Sequence, residues 1–156
     1  MANKLQSVYP KILVPLDGSA TSLRGLAEAV KLAKRGDVQL QLLHVVNELV
    51  IGSVETAPVY LDRLIEDMRA SGRAILHTAE RIVRDSGLQA QSVLLESVGN
   101  RAADQIVEQA RQWPADLIVM GTHGRRGLSR LALSSDAELV VRSAPVPVLL
   151  VRGGDA

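Results

Sequence analysis

Asp116-Leu117-Ile118-Val119-Met120-Gly121-Thr122-His123-Gly124 is an apolar run that opens straight into a glycine-bearing loop. A run with no polar alternation is the pattern of a strand buried on both faces, as in the interior of a parallel sheet. The same pattern stands near the start, where Ile12-Leu13-Val14-Pro15-Leu16 runs into Asp17-Gly18-Ser19, a turn signal. Between them, Leu23, Leu26, Ala27, Val30 and Ala33 recur at helical spacing until Gly36-Asp37 stops the helix. Residues 38–46 read as a second strand. Residues 47–59 have no period, and Gly52 and Pro58 mark them as a loop.

The longest helical stripe follows, from Leu61 through Leu64, Ile65, Met68, Ile75, Leu76, Ala79 and Ile82 to Val83, closed by Gly87. Gly72 lies on the same face. Because the stripe resumes in phase beyond it, Gly72 predicts a close helix–sheet contact and not a break, although an interior glycine costs about 1 kcal/mol relative to alanine. Residues 89–96 read as a third strand. Asn100 is expected to cap a helix carrying Ala102, Ile106, Val107 and Ala110, ended by Pro114. After the fourth strand, Ser135-Asp136-Ala137-Glu138 has the form of a capping box and opens a last helix to about Ser143. Residues 146–151 form the fifth strand. Strands and helices therefore alternate throughout, which predicts an α/β chain. It is a single doubly wound domain with a five-stranded parallel sheet and helices on both faces. In such folds ligands sit outside the carboxyl ends of the strands, where strand order reverses. The segments leaving strands one and four are the places to look.

Composition narrows the function classes. The chain has 156 residues, which suits one domain spanning 1–156, with residues 1–9 and 153–156 expected to be flexible ends. Lys plus Arg is 18 and Asp plus Glu is 17, so there is no basic footprint for nucleic acid. There is no Phe, one Trp and two Tyr, so the core is aliphatic and stacking platforms for bases are lacking. The absence of Cys excludes disulfides and thiol chemistry. No apolar run reaches the roughly 18 residues that span a membrane. The start of the chain lacks the apolar region of a signal peptide, and a cytoplasmic location is expected.

Gly121, Gly124 and Gly127 lie within seven residues, so backbone N–H groups can converge there with a helix N-terminus downstream. That suits an anion; a tight solvated turn decorated by Arg125, Arg126 and Arg130 fits the same letters. The loop is not a Walker A loop, since Gly-Lys-Ser/Thr is missing, and it does not follow strand one as a dinucleotide fingerprint does.

Three separated motifs carry a resemblance. Val14-Pro15-Leu16-Asp17-Gly18-Ser19, the run from Asp116 to Gly124, and Ala144-Pro145-Val146-Pro147-Val148-Leu149-Leu150-Val151 resemble the universal stress protein family over residues 9–152. The resemblance implies the adenine nucleotide α-hydrolase-like form of the fold. It also implies stress-response regulation or sensing, with ATP or another adenine nucleotide as the ligand. The implied binding residues are Pro15, Asp17, Val45, Met120, Gly121, His123, Gly124, Arg125, Ser134 and Ser135. Binders in the family carry Gly-x2-Gly-x9-Gly-Ser/Thr after strand four. Gly121 and Gly124 match, Ser134 stands where the third glycine belongs, Ser135 matches the hydroxyl, and Asp136 replaces a usually apolar residue. Asp136 favours the helix dipole and repels a triphosphate.

Each residue also has a plainer reading. Asp17 suits an Asx turn or a helix cap. His123 suits a solvated loop, and Val45 a buried strand position. His44 and His77 are not at ligand spacing, so no metal site is expected. No carboxylate pair advertises catalysis, and the chain is expected not to be an enzyme. A nucleotide-free interaction module of the same fold and, less favoured, a slow ATPase are the alternatives. Finally, Pro145 and Pro147 mark the fifth strand as an edge, which needs cover. The resemblance implies a homodimer through residues 146–151, with Val148 and Leu150 among the contacts.

Overall fold

The computed structural model describes residues 6–48, 57–123 and 133–154. Its elements follow in the order β1 (Lys11–Pro15), α1 (Ala20–Ala33), β2 (Gln39–Asn47), α2 (Pro58–Asp85), β3 (Ala90–Ser97), α3 (Ala102–Gln112), β4 (Leu117–Gly121), α4 (Ser135–Ser143) and β5 (Val148–Val151). The strands form one parallel sheet in the order β3-β2-β1-β4-β5. The order reverses between β1 and β4. That places the topological switch where the two apolar runs end, as the sequence predicts.

The unbroken runs are explained by cover on both faces. Ile12, Val14 and Leu16 join Leu40, Leu42, Leu117 and Val119 on one face, under Leu26, Ala29, Val30 and Ala33 of α1 and Leu76, Ala79 and Val83 of α2. Leu13, Leu43, Ile118 and Met120 point the other way, into Ala103, Ile106, Val107 and Ala110 of α3 and Ala137 and Val140 of α4. Successive strand residues alternate between the two cores, so every position of β4 must be buried. Gln41 brings a polar side chain into the second face. It is buried, and its Oε1 accepts a 2.7 Å bond from Gln109 Nε2.

Gly72 is the close approach that the uninterrupted stripe predicts. The helix runs unbroken past it, and a Cβ there would stand 2.6 Å from His44 Cδ2 and 2.8 Å from Leu94 Cδ1. The helix closes at Gly87, whose φ of 80° suits glycine, and Leu88 N–H donates back to the Val83 carbonyl at 3.2 Å.

Four local expectations are corrected. Ala27 is exposed, because the buried face of α1 is centred on Ser22, Leu26, Ala29 and Ala33, a quarter turn away. Pro58 does not belong to the loop; it opens α2 as its first residue, where its missing N–H costs nothing. Asn100 does not cap α3. Its carbonyl accepts the Ser97 hydroxyl at 2.6 Å in a turn with Gly99 at φ 77°, and the helix is entered at Arg101, whose N–H donates to Asp104 Oδ2 at 3.3 Å. Strand β5 starts at Val148, not at residue 146; Pro147 contributes only its carbonyl, which accepts from Ile118 N–H at 3.0 Å.

Candidate functional site

The head of β1 is shaped by a short polar turn. Leu16 N–H still bonds the Leu43 carbonyl at 2.8 Å, so the chain leaves the sheet in register. Asp17 Oδ1 then accepts from Ser19 N–H at 2.8 Å, across Gly18 at φ 83°. This is the Asx turn. Ser19 caps α1, its hydroxyl accepting from Ser22 N–H at 3.1 Å. On the other side, His44 Nδ1 meets the Leu16 carbonyl at 2.7 Å, which makes Nδ1 the protonated nitrogen. His44 also faces Gly72, so one imidazole ties the end of β1 to α2.

The head of β4 lies beside this turn. Gly121 packs without a side chain against Thr21 in the first turn of α1, and Gly25 lies against the Gly121 nitrogen. Thr122 N–H donates to the Val151 carbonyl at 3.0 Å, and the Thr122 carbonyl accepts from Ser134 N–H at 2.9 Å. The start of α4 is thereby pinned to the end of β4. Thr122 is 7% exposed, yet among the described residues its hydroxyl has no hydrogen-bond partner, and neither has the buried Nδ1 of His123. Unpartnered polar atoms on two consecutive residues are costly, since a buried unsatisfied group forfeits about 1–3 kcal/mol.

Of the residues expected from sequence, Pro15, Asp17, Met120, Gly121 and His123 stand at the carboxyl ends of β1 and β4 or just beyond them, while Ser134 and Ser135 stand at the start of α4, which the Ser134 N–H holds to the Thr122 carbonyl. Val45 is one strand over, on β2, half-buried against the α3–α4 core. Gly124 and Arg125 lie outside the described residues, as do Arg126, Gly127 and Arg130. Sequence reasoning missed Thr122 and His44. A polar residue directly after an all-apolar strand was the available signal for Thr122. His44 gave none, because its role depends on a carbonyl 28 residues away.

A family model described as the universal stress protein family matches residues 9–152. The chain belongs to the universal stress protein family. It is 33% identical over 147 residues to a universal stress protein of Methanocaldococcus jannaschii, covering 94% of this chain and 84% of that one. Among solved structures, a universal stress protein family member from Burkholderia pseudomallei superposes with a TM-score of 0.75 at 32% identity, covering 94% and 98% of the two chains. A universal stress protein solved in complex with cAMP superposes with a TM-score of 0.64 at 25% identity, covering 92% and 97%.

Within this universal stress protein, the departure at Ser134 takes a definite form. Its backbone has φ −60° and ψ 151°, an ordinary extended conformation, so the side chain brings no strain. Ser134, not Ser135, is the cap of α4: its hydroxyl accepts from Ala137 N–H at 3.1 Å. The sequence pattern was displaced by one residue because two adjacent serines can both head a capping motif. Ser135 is exposed, and Asp136 and Glu138 both fall in the first turn. Glu138 pairs with Arg142 at 3.0 Å; among the described residues Asp136 has no ion-pair partner. No helix among the described residues is long and apolar enough to cross a membrane.

Proposed function

We propose that this universal stress protein binds an adenine nucleotide at the heads of β1 and β4 and serves as a cytoplasmic stress-response sensor or regulator, not as a turnover catalyst. The observation that carries the reading is the pair of orphaned polar atoms, Thr122 Oγ1 and His123 Nδ1, at the switch point of a doubly wound sheet. A hydroxyl and an imidazole nitrogen are each suited to a phosphate oxygen or a ribose hydroxyl, which would supply the partners missing among the described residues. The Asp17 turn is the matching group on β1, within the same head region because Thr21, four residues on, abuts Gly121. The family member solved with cAMP supports the class of ligand. Pro15, Val45, Met120, Gly121, Gly124, Arg125 and Ser135 complete the proposed contacts.

The protein is further proposed to form a homodimer through β5. Pro147 and Val151 turn their carbonyls toward β4, so the peptide groups of Val148 and Leu150 face the open edge. A second copy pairing antiparallel across a twofold axis would satisfy them.

Titration of adenosine, AMP and ATP by calorimetry tests the nucleotide reading. At least one of the three binds the wild type, and Asp17→Ala or Gly124→Val weakens that binding at least about tenfold, equivalent to about 1.4 kcal/mol. Undiminished binding in both variants excludes this site. No binding of any of them to the wild type favours the second reading, a nucleotide-free interaction module whose α4 N-terminus is already satisfied by its own serine.

A further inference from the structure

We infer that the edge strand β3 is a self-complementary interaction surface, on which a second copy of the chain pairs its own β3 antiparallel about a twofold axis at Leu94. The contact is separate from the pairing proposed at β5, and it rests on neither that pairing nor the nucleotide reading.

Register decides which peptide groups are open. Gln39 N–H donates to the Pro10 carbonyl and Leu16 N–H to the Leu43 carbonyl, both at 2.8 Å, so odd-numbered residues of β2 bond β1 and even-numbered ones turn to β3. Leu40 stands opposite Ala90 and Leu42 opposite Ser92. In a parallel ladder the odd-numbered residues of β3 are then the ones that answer β2. The N–H and C=O groups of Ala90, Ser92, Leu94 and Glu96 point away from the sheet, and β3 has no second neighbour among the described strands.

This edge lacks the usual protection. Strand β5 is four residues long and follows Pro145 and Pro147, whereas β3 runs eight residues, pairs with β2 without a bulge, and contains no Pro and no Lys. Its single charge, Glu96, is drawn onto α2 by the Arg69 guanidinium, with bonds of 2.5 and 2.9 Å. Val93 and Leu95 pack toward the α3–α4 core and Leu94 toward the α1–α2 core, yet all three are only half-buried, with no strand beyond them among the described residues.

The order of side chains selects the occupant. In Ser92-Val93-Leu94-Leu95-Glu96, a twofold at Leu94 sets Leu94 against Leu94, Val93 against Leu95, and Ser92 against Glu96. Apolar side chains meet on both faces, and a hydroxyl meets a carboxylate. Because Ser92, Leu94 and Glu96 are the outward-bonding residues, each exchanges both backbone bonds with its opposite. Moving the axis by one residue, to Val93 or Leu95, would set Leu94 against Ser92 or Glu96, so the side-chain pattern specifies one register. The α2 rim beside the strand carries both signs, with Glu66 bonding Arg69 and Arg73, and does not repel a like surface.

Sedimentation equilibrium of the intact chain carrying Leu149→Lys, expected to be monomeric at micromolar concentration, reads this contact. A contact of five residues is small, so the mass is expected to approach that of a dimer at a concentration about a hundredfold higher. Adding Ser92→Pro, which gives up no bond within the sheet, or Ser92→Glu, which faces the Glu96 carboxylate of the second copy, is expected to restore the monomer. Ser92→Lys faces the same carboxylate with the opposite charge and is expected to keep the dimer. Oxidation reads the register, since the chain has no Cys. Leu94→Cys brings two sulfurs across the axis with Cα atoms about 5.5 Å apart, and a cross-linked dimer is expected. Ser92→Cys sets the same atoms about 13 Å apart, and none is expected. Ser92 is exposed, so the sedimentation series stands even where Leu94→Cys loosens the packing under α2. A Leu149→Lys protein that stays monomeric at the higher concentration overturns the proposal. So does a dimer that survives both Ser92→Pro and Ser92→Glu, or cross-linking by Ser92→Cys as ready as by Leu94→Cys.

Discussion

Gly121, the last residue of β4, lies directly against Thr21 in the first turn of α1: a Cβ on Gly121 would stand 2.7 Å from Thr21 Cγ2 and 2.9 Å from the Thr21 carbonyl carbon. Backbone cannot yield as a flexible side chain can. The contact joins the two halves of the sheet at its switch point and sets the distance between the Asp17 turn and the head of β4.

Gly121→Ala is therefore expected to destabilise the fold by about 1–3 kcal/mol, the usual cost of overpacking. Gly25→Ala, in the same interface, meets nothing closer than 3.4 Å and sits within α1. It is expected to be neutral or stabilising by up to about 1 kcal/mol through helix propensity. Urea unfolding followed by the fluorescence of Trp113, half-buried under Lys11 at 5.4 Å, measures both. Equal costs for the two substitutions would contradict the tight contact at Gly121.

Gly72 and His44 should show strong coupling. Gly72→Ala gains about 1 kcal/mol in helix propensity but loses about 1–3 kcal/mol by driving a Cβ into the imidazole and Leu94. A net loss of about 1 kcal/mol is expected in the wild type. In a His44→Ala background only the far end of the flexible Leu94 side chain still stands in the way and can turn aside, so the same change is expected to become neutral or stabilising. A double-mutant cycle by denaturant unfolding reads the change of sign.

The edge between α2 and β3 carries a pH dependence. Arg69 clamps Glu96 with bonds of 2.5 Å from Nε and 2.9 Å from Nη2. The guanidinium holds the Glu96 carboxyl below its ordinary value of 4.5, and Arg73 and Arg69 lower Glu66 in the same way. A depressed carboxyl stabilises the fold above its unfolded value and loses that contribution as pH falls through the folded one. The Tm of wild type is thus expected to exceed that of Glu96→Gln at pH 7, with the gap closing below pH 4.5. Because the pair is exposed, salt should shrink the gap as well.

Substitution at β5 separates edge pairing from core packing. Val148 and Leu150 pack against the α3–α4 core, while Leu149 is 39% exposed. Lysine at 148 or 150 would unfold the strand as well as block assembly, so Leu149→Lys is the cleaner probe. Sedimentation equilibrium at micromolar concentration is expected to show a dimer for wild type and a monomer for Leu149→Lys, with the same Tm for both under dilution. A monomeric wild type would remove the proposed dimer.

The alternation of elements, the burial of β1 and β4 on both faces and the close approach at Gly72 were legible in the sequence, because each is written in local periodicity. An unbroken apolar run has one explanation in a chain this size, and a glycine in phase within a helical stripe has few. The heads of β1 and β4 were also legible as the region to inspect, since crossover handedness determines where strand order reverses. Tertiary structure alone decided the rest. Two neighbouring serines compete for one cap, and only the position of Thr122, whose carbonyl takes the Ser134 N–H, shows that Ser134 wins. Asn100 is a good cap by composition, yet its carbonyl is engaged by the Ser97 hydroxyl in a turn. His44 looks like any strand residue until β1 brings the Leu16 carbonyl within 2.7 Å of it. Hydrogen bonds between residues far apart in sequence leave no local pattern, and it is those bonds that determine which polar groups at the heads of the strands are satisfied.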